Sequence, residues 1–218
     1  MKKRNLFAVM TALGLVYGAA ANAIAFTFTE DLSGVTMTAS GSIDVSGLVR
    51  NNRVNGWGGL GIQSYDATSI LGNTTGGAVN ATYQFHAGTD FSDFTGAGRP
   101  YTQSHFSWSQ SGDSSSFATY LWGRGHLVPG FSLHTSDLVG SVWSTDQSWF
   151  ASGTSFASLG MTEGTYSITD SVSGENLSIV VARSLPAVSL PAVPLPASFP
   201  LLLGGLAAFG MLKRKKKA

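Results

Sequence analysis

The chain has 218 residues, 43% of them hydrophobic and only 11% charged, with a formal net charge of +1 and no cysteine. Without a thiol there are no disulfides, no cysteine-ligated zinc and no thiol catalysis, so stability must come from burial. The charge is also unevenly placed: eight of the 13 Lys+Arg lie at 2–4 and 213–217, leaving five arginines against all 12 acidic residues, a lysine-free middle of net charge −7 in which no basic patch holds phosphates and no nucleic-acid partner is expected.

Residues 1–23 carry a basic start (Lys2, Lys3, Arg4), an apolar run over 6–20 and small residues at Ala21-Asn22-Ala23 that fit an A-x-A cleavage site. The pattern is that of a secretory signal peptide, with the Sec machinery and signal peptidase as partners; Ala23-Ile24-Ala25 offers a second cleavage frame. The apolar run is short of the roughly 20 residues that a spanning helix needs.

From 24 to 183 the dominant signal is alternation with period two, in short runs broken by Gly, Asn, Ser and Asp. Phe26 and Phe28 alternate with Thr27 and Thr29; Val35, Met37 and Ala39 alternate with Thr36, Thr38 and Ser40; Ile43 and Val45 follow. Gly41 between these last two runs suits a tight hairpin turn, since glycine takes positive φ without strain. Further strands are expected at 60–65, 79–86, 103–108, 116–122, 139–144, 165–169 and 176–181, with a polar hairpin loop over 170–175. No helical stripe stands out. Eight to eleven short strands argue an all-β domain, an antiparallel β-sandwich or jelly roll, and the 13 phenylalanines supply enough bulky apolar surface for a packed core.

The composition changes at 184–197, where proline recurs every few positions and favours an extended spacer. An apolar segment, 198–212, follows. Its 14 residues from 199 onwards would make a helix of about 21 Å against a hydrocarbon core of about 30 Å, marginal for a permanent span. Ser198 suits the helix N-cap, and the basic tail at 213–218, with Lys213, Arg214, Lys215, Lys216 and Lys217, would stay on the cytoplasmic side.

Val193-Pro194-Leu195-Pro196-Ala197, then the apolar run and the basic block, resembles the VPLPA-type variant of the PEP-CTERM sorting signals of Gram-negative bacteria. The resemblance covers about 26 residues with every part in order. It implies processing by an exosortase, transient residence in the inner membrane through 199–212, delivery to the cell surface or extracellular matrix, and an alphaproteobacterial source. More loosely, His126 to Phe131, the run Trp149 to Gly160 with its Thr154-Ser155-Phe156-Ala157-Ser158-Leu159-Gly160 segment, Gly164-Thr165-Tyr166 and the closing strand Leu177 to Val181 resemble the β-rich domains that precede such signals. Those domains lend no catalytic residue.

The middle offers little chemistry. His86, His105, His126 and His134 show no metal-ligand spacing, so no metal and no cofactor are expected. Asp90-Phe91-Ser92-Asp93 lacks the ligand spacing of a calcium loop. There is no G-x-S-x-G nucleophile motif, and Glu163 and Glu175 fall in expected turns. Of the five tryptophans, Trp57, Trp108, Trp122, Trp143 and Trp149, most suit a core; Trp57, set among glycines, is the candidate for stacking on a sugar ring. The expectation is a non-enzymatic surface or matrix protein associated with extracellular polysaccharide. Its alternative is a carbohydrate-binding module or carbohydrate-active enzyme of the envelope, recognisable by Glu163 or Glu175 converging with an aspartate in a cleft.

Overall fold

The computed structural model describes residues 23–51, 59–65, 67–113, 115–122 and 128–183. In chain order its strands are β1 (Ala23–Glu30), β2 (Gly34–Asp44), β3 (Val49–Asn51), β4 (Leu60–Tyr65), β5 (Thr68–Asn73), β6 (Ala81–Gln84) and β7 (Ser109–Ser111). They continue with β8 (Phe117–Trp122), β9 (Val128–Leu133), β10 (Leu138–Val139), β11 (Val142–Thr145), β12 (Ser148–Ser152), β13 (Gly164–Thr169) and β14 (Asn176–Arg183). One sheet has the order β10-β11-β2-β1-β14-β13, with β12 also on β2 and β7 outside β12; the other runs β3-β6-β9-β8-β5-β4.

The alternation in the sequence becomes the two faces of the first sheet. Ile24, Phe26 and Phe28 of β1, Val35 and Met37 of β2, and Leu177, Ile179 and Val181 of β14 point inward and are buried, while Thr27, Thr36, Thr38 and Ser178 face outward. The second sheet closes the same core with Ile62, Leu71, Tyr83, Phe85, Phe117 and Phe131. The fold is all-β, as expected, and built of two sheets over one core.

Several elements differ from expectation. Gly41 has a positive φ of 102° but makes no hairpin: β2 runs straight through it, and the glycine is needed because a Cβ there would lie 2.1 Å from the Ala23 carbonyl oxygen of neighbouring β1. Residues 103–108 form no strand; they join β4 through the isolated bridge of Ile62 to His105 and the Ser64 N–H on the Ser104 hydroxyl at 3.1 Å. The 139–144 run divides between β10 and β11, which pair as a hairpin. The terminal strands β1 and β14 pair in parallel, an exception in an otherwise antiparallel sheet, which is possible because the whole intervening chain serves as their crossover.

One helical turn, α1 (Phe156–Leu159), gives the Thr154 to Gly160 run a physical account. Ser155 and Ser158 cap each other reciprocally, each hydroxyl accepting the other's backbone N–H at 3.1 and 3.0 Å. Phe156 and Leu159, three apart, are both buried, and Gly160 ends the turn at φ +58°. Edges are covered too: Asp93 accepts the Ser167 N–H on the open side of β13 at 3.1 Å.

At the centre, Phe117 of β8 packs on three residues of the opposite sheet: Phe26 at a centroid distance of 5.1 Å, Trp143 at 5.2 Å and Trp149 at 5.8 Å. Trp149 in turn meets Trp108 at 6.2 Å. Beside this cluster the fully buried Asn73 and Gln147 join the sheets through their side-chain amides, and Gln147 Nε2 donates to the Ser115 carbonyl at 2.7 Å. Trp149→Ala is expected to destabilise the domain by about 3–5 kcal/mol, read as a lower urea midpoint, whereas Leu32→Ser at a fully exposed turn should stay within about 0.5 kcal/mol. Equal midpoints for the two variants would contradict this packing.

Candidate functional site

A cluster of hydrogen-bonded polar side chains joining the two sheets lies around Asp170, where β13 gives way to the 170–175 loop. Its side chain is fully shielded from solvent. Within the loop it accepts the N–H groups of Val172 and Ser173 at 3.2 and 2.8 Å and the Ser173 hydroxyl at 2.8 Å. From beyond β6 it accepts the His86 backbone N–H at 2.6 Å, and the His86 ring lies with Nδ1 2.9 Å from Oδ2. Thr89 donates more weakly at 3.4 Å and in return accepts the Ser171 N–H at 3.1 Å. At the far end of the loop, buried Glu175 accepts the Asp44 backbone N–H at 2.8 Å through Oε2.

Burial pushes the Asp170 carboxyl up, but the hydrogen bonds from Ser173 and His86, backbone and side chain together, outweigh it and hold the group well below the usual carboxylate range. The group is therefore an anion at neutral pH, locked in place by donors from both sheets. An aspartate on Nδ1 of a histidine is also the orienting half of a nucleophilic relay. The other half is not assembled here: among the described residues the neighbouring hydroxyls of Thr89 and Ser173 are directed at Asp170, and none is hydrogen-bonded to Nε2 of His86. What the arrangement does is clamp a hairpin of one sheet to a strand end of the other.

The residues singled out in the sequence are dispersed. Trp108, Trp143 and Trp149 are buried, while Trp122 ends β8. Glu163 is exposed and pairs with Arg183 at 2.9 Å, while Glu175 is buried with its carboxylate on the Asp44 backbone N–H. His105 lies near the Ser107 carbonyl and edge-on to Trp108, and His134 contacts the Ser136 hydroxyl. Asp90 caps Ser92 within its own loop. Among the described residues no group of three or more His, Asp or Glu could hold a metal, and no helix is long and apolar enough to cross a membrane. Trp57, His126, the Val193-Pro194-Leu195-Pro196-Ala197 motif, the apolar segment at 198–212 and the basic block at 213–217 lie outside the described residues.

The pairing of His86 with Asp170 had no signal in the sequence. The two are 84 positions apart, and only the packing of the sheets brings them together.

The chain matches no family model, no curated protein and no solved structure.

Because the folded-state carboxyl of Asp170 titrates below its unfolded value of about 3.9, the stability it contributes is complete above about pH 5 and is lost as the pH falls through the acid range. Asp170→Asn is expected to cost about 2–3 kcal/mol at pH 7 and to flatten the fall in stability between pH 5 and pH 2, read by urea unfolding at each pH. A variant that kept the wild-type slope would show that another group carries the acid sensitivity.

Proposed function

We propose that this is an exported, exosortase-processed component of the cell surface or extracellular matrix, without catalytic activity and associated with extracellular polysaccharide. The observation that carries the reading is the ordered run at the C-terminus: Val193 to Ala197, an apolar segment about one short helix long, then Lys213 to Lys217. Each part has a physical task in that order. The prolines hold the chain extended for a protease, the apolar segment keeps it at the membrane, and the cationic block keeps the tail on the cytoplasmic side. The signal peptide at 1–23 brings the chain to the same membrane first.

The folded domain suits passive cargo. Read at finer detail it is an antiparallel β-sandwich or jelly roll, stabilised by aromatic burial in a chain without cysteine. Its buried carboxylates hold loops: Asp170 is ringed by donors, and Glu175 takes a backbone N–H. Two cavities between the sheets among the described residues, lined by residues such as Phe26, Phe117, Phe85 and Ile168, leave room for no more than a water-sized guest. Recognition of a polysaccharide would then fall to the surface, with Trp57 as the stacking residue.

Deleting 193–196 is expected to leave the protein in the inner-membrane fraction, followed by immunoblot after fractionation and by intact mass. Release at the wild-type level would sink the processing reading. Trp57→Ala is expected to weaken retention on the producing cell's own extracellular polysaccharide by roughly two- to tenfold, measured by pull-down with that purified polymer. Unchanged retention would remove Trp57 as the contact.

A further inference from the structure

The start of the fold bears on where the exported chain is cut, because the two cleavage frames at Ala21 to Ala25 run into β1. This strand is not at an edge: β2 lies on one side and β14 on the other. Its first rung joins Ala23 to Asn176, and its second joins Ile24 to Leu177 and to Gly41. Ile24 is 1% exposed and lies between the sheets against the space bounded by Phe26, Ile43, Phe117 and Trp143. A cut after Ala25 would discard this core side chain and leave a void under the central aromatic cluster.

A cut after Ala23 keeps Ile24 but removes a backbone group that the neighbouring strand is shaped around. Gly41 sits at φ +102° with space for no Cβ, because the Ala23 carbonyl occupies it. That cut would also place a charged ammonium on Ile24, where two strands flank the backbone and its side chain is buried, at a desolvation cost. One frame upstream, Ala19-Ala20-Ala21 satisfies the same small-residue rule and spares the whole of β1.

We propose that signal peptidase cuts after Ala21, so that the mature chain opens at Asn22 and β1 is delivered complete. Water hydrolyses the bond between Ala21 and Asn22, leaving the carboxylate on Ala21 and the new amine on Asn22. The assignment rests on the export reading above. It also fixes an order of events, since the two downstream bonds, once β1 is paired on both sides, lie within the sheet and are shielded from a protease that needs extended chain.

The test is N-terminal sequencing and intact mass of the full-length chain exported from a Gram-negative host. Asn22 as first residue is the expected result. A start at Ile24 or Phe26 overturns the assignment and leaves export standing, whereas an uncut chain beginning at Met1 overturns both. Ala21→Leu should abolish the Asn22 species and accumulate precursor, while Ala23→Leu should leave the Asn22 start unchanged; the opposite pattern overturns the proposal. Ile24→Ala in the same exported chain should lower the thermal midpoint by about 5–15 °C, and an unchanged midpoint would remove the packing on which the assignment depends.

Discussion

Phe117 is the contact on which the rest of the domain depends. A strand of one sheet presents a single ring to three aromatic residues of the other, Phe26, Trp143 and Trp149, so that residues more than 90 positions apart in the sequence share one cluster. With no cysteine and no metal ligand set among the described residues, nothing covalent holds the two sheets together. The sheets stay paired because separating them would return several large rings to water at once. The amides of Asn73 and Gln147 sit beside that cluster and restrict how it packs: buried amides must keep their partners, so the sheets cannot slide without breaking those bonds.

The perimeter follows the same logic with polar atoms. Asp170 and Glu175, at the two ends of one loop, each take donors from a distant segment, and Asp93 covers an open strand edge. Asp170 stabilises because it is ionised and surrounded by donors, which also makes it a poor general acid at neutral pH. Buried charge in this domain therefore holds structure in place, and the outward face of the first sheet includes Thr27, Thr36, Thr38 and Ser178. The informative chemistry of the chain lies in its two ends.

The parallel pairing of β1 with β14 joins the first strand of the domain to its last. β1 is the first strand of the domain and β14 the last, yet each lacks one of its two neighbours until the other is in place. The central part of the first sheet therefore completes only when nearly the whole domain is available, and the long loop this closes makes it a late step of folding.

Much of the local structure was legible in the sequence because it is local in cause. Alternating residues such as Phe26 with Thr27 and Ile179 with Val180 specify a strand wherever one side is wet, so β1, β2, β4, β13 and β14 follow from period two alone. The proposed sorting and export signals are linear patterns as well, since the machinery they would address reads extended chain. Strand β5, with five of six residues buried, and the short β3, β7 and β12 carry no clean alternation and were silent. Gly41 was legible as a positive-φ position but not as the seat of a neighbouring carbonyl, because that contact belongs to another strand. The same holds for His86 with Asp170 and for Gln147 with Asn73: pairing rules act along a strand, whereas which loops and which sheets meet is decided only when the two cores pack as one. The sequence by itself determined most of the alternating strands; tertiary structure alone decided the clamps, the parallel closure and the seat of the Ala23 carbonyl against Gly41, because those depend on burial between segments that the chain order keeps far apart.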